Sequence, residues 1–88
     1  MQINISKKYK EAKYIYACGD LGLATALLCL EHELITLEKK DSKKSIFLFR
    51  KREDTDEIQN KYFSNKLEVK ARDFWDHSRA LKSKLYSN

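Results

Sequence analysis

The stretch that decides the fold is LITLEKKDSKKSIFLFR, residues 34–50. Leu34 to Glu38 and Ser45 to Arg50 carry the β-branched, aromatic and aliphatic side chains of strands. Lys39 to Lys44 between them is an unbroken polar run in which Asp41 and Ser42 suit local side-chain turns. The segment reads as a β-hairpin. Alternation sends Phe47 and Phe49 to one face and Ile46 and Leu48 to the other, so this short strand is apolar on both sides. One side needs a second cover, which the N-terminal segment, another subunit or a ligand would supply. Ile46 and Leu48 are therefore candidate interface residues, since a large exposed apolar patch is itself a sign of interaction.

Upstream, Leu21, Leu23, Ala24, Leu27, Leu28 and Leu30 surround most of a helical cylinder of about 21 to 32, with Asp20 as its N-cap. Tyr14 to Ala17 favour extended structure, a third, N-terminal strand for the sheet, and Gly19 with Asp20 stops it. Residues 1–12 are basic and weakly patterned and read as an N-terminal arm, with Ile3 and Ile5 as candidates for a short edge strand.

Downstream, Asp54 or Thr55 caps a helix of about 55 to 64 that carries an Ile58, Tyr62, Phe63 stripe and ends at Asn65. Ala71, Phe74, Trp75, Ser78, Leu81 and Leu85 then recur at three- and four-residue steps, marking a helix of about 70 to 86. The expected fold is a small two-layer α+β domain over residues 13–88, a hairpin packed against three helices in the order β-α-β-β-α-α.

The chain has 88 residues, room for one core. Folding at that size hides only about 64% of the extended chain's surface, so pairing into a homodimer would help. An apolar content of 42% argues against disorder, and 35% charged residues with a mean hydropathy of -0.68 argue against an integral membrane protein. The apolar span Tyr14 to Leu30 is interrupted by Asp20 and falls short of the ~20 residues of a membrane helix, so no membrane partner is expected. Cys18 and Cys29, about 16 Å apart if helix intervenes, suit free thiols and a reducing cytoplasm.

The formal net charge is +5 with a pI near 9.2. It is concentrated between residues 34 and 52, where Lys39, Lys40, Lys43, Lys44, Arg50, Lys51 and Arg52 are opposed only by Glu38 and Asp41. These seven are the candidate nucleic-acid-binding residues, able to track a phosphate backbone without reading sequence. Tyr9, Tyr14 and Tyr16, interleaved with lysines, are the candidates for base stacking. Phe47, Phe49, Tyr62, Phe63 and Trp75 have the spacing of core residues. Arg72, Arg79 and Lys82 recur on one face of the last helix, but Asp73 and Asp76 weaken a helix-turn-helix reading.

Asp20, Leu21, Leu23, Ala24, Leu27 and Leu28, then Leu34 to Glu38, Phe47 with Phe49, Tyr62 with Phe63, and Val69, Ala71, Phe74, Leu81 and Lys82 form a pattern. Over residues 13–86 it resembles an uncharacterised family of small bacterial and phage domains. Members of that family place Thr where this chain has Cys18, and Gly after the first helix where it has Glu31. The resemblance carries no activity; it implies a small accessory protein of mobile-element or phage type, acting on a host partner.

Enzymatic chemistry has little support. Cys29 and His32 share a helix face, but zinc sites present paired ligands at both ends, and Cys18 and His77 make no second pair. Buried thiols and a surface imidazole are the expected reading, with no metal and no cofactor. Cys29 lies near the C-terminal end of its helix, where the dipole opposes a thiolate, and Cys18 has no evident base. Two glycines cannot build a phosphate-binding loop. The expectation is a non-enzymatic binding protein that contacts nucleic acid through its basic surface. The alternative is a protein-interaction module working through the apolar sheet face.

Overall fold

The hairpin forms where alternation places it. In the computed structural model, which describes residues 14–41 and 43–87, β1 (Ile15–Cys18), α1 (Leu21–Cys29), β2 (Leu34–Lys39), β3 (Ser45–Arg50), α2 (Thr55–Phe63) and α3 (Ala71–Tyr86) follow in that order. The strands form one antiparallel sheet of order β1-β3-β2, so the most apolar strand is central. Phe47 stands between Cys18 and Leu37, and Leu48 between Ala17 and Thr36. A register irregularity between Leu34 and Thr36 interrupts the β2 ladder. At the turn, Asp41 Oδ1 accepts a hydrogen bond from the Lys43 backbone N–H at 2.8 Å. The arm of residues 1–12, with Ile3, Ile5 and Tyr9, lies outside the described residues, as does Ser42.

Cys18, Phe47 and Phe49 meet Leu23, Ala24 and Leu27 of α1, Ile58 of α2 and Leu81 of α3 in one core. Phe47, Phe49, Leu27 and Leu81 are all fully buried. Each such side chain contributes about 1.5–3 kcal/mol relative to exposure. Asp20 caps α1 as its residue type favours, accepting from Leu23 N at 2.8 Å. Asp54 stands before α2 but makes no side-chain cap bond, because Arg52 engages both of its carboxylate oxygens.

The first helix ends at Cys29, three residues before its expected end near 32. The His32 N–H donates to Leu27 O at 2.9 Å and the Glu31 N–H to Leu28 O at 3.0 Å, with Glu31 at φ 64. This is a Schellman C-cap, in which the residue after the cap enters the left-handed region that glycine occupies without strain. The same closure ends α2, where Asn65 has φ 60 and Lys66 N donates to Lys61 O at 2.8 Å.

The structure corrects two expectations. His32 is not a surface imidazole: the turn directs it inward, where it is 3% exposed. Phe63 and Trp75 are not core residues either, being 61% and 57% exposed. Phe63 falls in the last turn of a short helix whose inward positions are Thr55 and Ile58, while α3 is inward at Leu81 and only half-buried at Phe74, Ser78 and Leu85.

Candidate nucleic-acid interface

The seven expected cations do not form one patch. Lys40, Lys43 and Lys44 sit at the hairpin turn, while Arg50, Lys51 and Arg52 lie at the other end of β3, about 20 Å away by the rise of a strand. The second group is largely neutralised. Arg50 pairs with Glu33 at 3.0 Å, Lys51 with Asp56 at 3.4 Å, and Arg52 with Asp54 at 2.8 Å. Arg52 also donates to the Leu30 carbonyl at 2.9 Å, holding the end of α1 against the start of α2. These three side chains work within the fold, with their charge spent locally.

The turn lysines are freer. Lys40 pairs with Glu38 at 3.1 Å, but Lys43 and Lys44 are exposed and hold no ion pair among the described residues. Lys39 reaches across to α3, donating from Nζ to the Ser87 carbonyl at 2.9 Å. A cation there complements the negative end of the helix dipole. It also brings the hairpin turn beside the end of α3.

On α3 itself, Arg72, Trp75, Arg79, Lys82 and Tyr86 follow alternating three- and four-residue steps, which keep side chains on one face. All five are exposed, with Tyr86 at 83%. The face runs about 21 Å from Arg72 to Tyr86 at 1.5 Å per residue. Asp73 lies on the opposite flank of the helix, where it borders an open depression of about 480 Å³ with Cys29 and Glu31. Asp76 is at the margin of the face and pairs with Arg72 at 3.2 Å, an exposed bond of the kind that yields readily. The acids that weakened the reading of this helix therefore stand beside or behind the cationic face. The sequence already placed Arg72, Arg79 and Lys82 together; the same spacing applied to Trp75 and Tyr86 would have added the two aromatics.

Of the expected stacking residues, Tyr14 is exposed, while Tyr16 packs against the core and hydrogen-bonds to Gln59. Ile46 and Leu48, the expected interface pair, are 7% and 0% exposed within a single chain. Both therefore lie beneath the surface of one copy and present no apolar patch.

Neither thiol is activated. Burial raises Cys18 to about 11, and burial with the nearby Asp73 charge raises Cys29. The Cys18 thiol donates to the Asp20 carbonyl at 3.3 Å. Among the described residues, no three His, Cys, Asp or Glu side chains gather into a metal-binding group, and no helix is long and apolar enough to cross a membrane.

No curated protein and no solved structure matches the chain. The model of a domain family of unknown function, DUF5659, matches residues 12–87, which takes in every strand and helix described above. The chain belongs to that family.

Proposed function

We propose that this protein is a non-enzymatic binding protein that contacts nucleic acid without sequence preference, through the outer face of α3 and the adjoining lysines of the hairpin turn. One observation carries the reading. Arg72, Trp75, Arg79, Lys82 and Tyr86 share an exposed face with no carboxylate interleaved in its three- and four-residue steps. Lys39 joins Lys40, Lys43 and Lys44 to its far end through Ser87. Cations set along a line neutralise successive phosphates and release counterions, and aromatic rings among them offer surfaces to bases. Arg50, Lys51 and Arg52 take a lesser part, because all three are paired with carboxylates, whereas among the described residues only Arg72 of the α3 face is, with Asp76.

The test is a salt titration of binding to an oligonucleotide. Affinity should fall steeply from 50 to 200 mM salt. Arg79→Gln and Lys82→Gln should each weaken binding and flatten the salt dependence, whereas Arg50→Gln should change both far less. Absence of binding at low salt would reject the reading.

A further inference from the structure

We infer that the α3 face selects single-stranded nucleic acid over duplex, by stacking unpaired bases on Trp75 and Tyr86 while Arg72, Arg79 and Lys82 hold the phosphates. The inference rests on the proposed nucleic-acid reading and goes past it, to the state of the strand. Phosphate contact alone does not distinguish single strands from duplex, because both present a charged backbone. Exposed aromatic rings do distinguish them. In a duplex the faces of the bases are covered by their neighbours in the stack, so a ring on a convex helix finds no base face to meet. A single strand can turn its bases out onto such rings, and each stack strengthens binding whatever the base.

Trp75 and Tyr86 are 57% and 83% exposed, the largest such surfaces on α3. They lie about 16 Å apart along the helix, with Arg79 and Lys82 between them. A strand held by those two cations would reach both rings with a short run of nucleotides, within the site sizes typical of single-strand binders. The face has no aliphatic side chain among its five residues, so it has little to insert into lipid. That composition favours a strand over a membrane surface, which rewards buried apolar area.

Trp75 is the only tryptophan in the chain, so its emission reports on this face alone. The full chain is titrated at low salt with an oligothymidylate, with a duplex of equal phosphate count, and with anionic phosphatidylserine vesicles. The expected result is quenching of Trp75 emission by the single strand, at an affinity about tenfold or more above that for the duplex. By anisotropy of a labelled strand, Trp75→Ala and Tyr86→Ala should each weaken single-strand binding about tenfold and leave duplex binding nearly unchanged. Both positions are exposed, and unchanged thermal midpoints would verify that the variants fold. Equal affinity for strand and duplex, with no effect of either alanine, would overturn the stacking inference and leave the nucleic-acid reading standing. Binding to neither would remove both. A blue shift of Trp75 on the vesicles alone would also remove both, in favour of a lipid surface.

Discussion

His32 Nε2 stands 2.9 Å from Thr55 Oγ1, with the two residues 3% and 0% exposed, so the reversal after α1 is joined to the first residue of α2 by a bond shielded from water. Thr55 Oγ1 also accepts from the Arg52 backbone N–H at 2.8 Å. Among the described residues, His32 Nδ1 is buried without a hydrogen-bond partner. A protonated ring would carry a second donor at that atom and a charge that burial disfavours.

That environment gives the fold a pH dependence. Burial lowers the His32 pKa below its ordinary value and the Arg52 charge lowers it further, while Asp54 and the Leu30 and Leu27 carbonyls oppose the shift. The unfolded chain therefore takes up this proton more readily than the folded one. Stability from this group is complete above the unfolded value of about 6.5 and declines as pH falls below it toward the folded value. The urea midpoint should be lower at pH 5.5 than at pH 7.5, and His32→Gln should reduce the difference. Equal midpoints for the native chain at the two pH values would contradict this.

Glu31 predicts a gain. Its side chain is exposed and its φ of 64 is the left-handed conformation of the C-cap, which strains any residue with a Cβ by about 1–2 kcal/mol. Glycine relieves that strain and gives back part of the benefit through its freer unfolded chain. Glu31→Gly should raise stability by about 0.5–1 kcal/mol in urea unfolding. A loss of stability would mean that the Glu31 side chain supports the turn.

The fold was legible in the sequence because its determinants are local. Asp20 before a leucine-rich run, the polar turn of residues 39–44 and the alternation of Phe47 and Phe49 each specify an element from a few neighbours. Helix starts and strand limits accordingly agree with the structure to within a residue or two. The end of α1 was not legible. The leucine pattern runs on to Leu30, and Glu31 gives none of the signal that a glycine would. Nor was the exposure of Trp75. A helix that covers one side of a small sheet has a narrow inward stripe, and its width depends on how the other helices pack. The candidate site was legible in part. The charge of Arg72, Arg79 and Lys82 could be placed on one face by spacing, but the pairing of Arg50, Lys51 and Arg52 depends on Glu33, Asp56 and Asp54. Glu33 is brought to Arg50 by pairing across the sheet, and local charge counts do not register such contacts.

Gly22 is required by a neighbour rather than by its backbone, whose φ is not positive. It lies in the first turn of α1, where the hydroxyl of Tyr62 occupies the space a Cβ would take, with the ring Cζ 3.0 Å from that point. Tyr62 makes an edge-on contact with Phe63, the ring centroids 5.1 Å apart, and its hydroxyl lies beside Asp20. Alanine would gain about 0.5–1 kcal/mol of helix preference over glycine, but displacing the ring should cost about 1–3 kcal/mol. The second effect is larger, so Gly22→Ala should destabilise the protein by about 1 kcal/mol. Removing the obstructing oxygen separates the two effects. In a Tyr62→Phe background the penalty should shrink or reverse, giving a coupling of about 1 kcal/mol in a double-mutant cycle. Strictly additive substitutions would show that Tyr62 swings aside without resistance, and that α1 and α2 meet there without the close fit the distances describe.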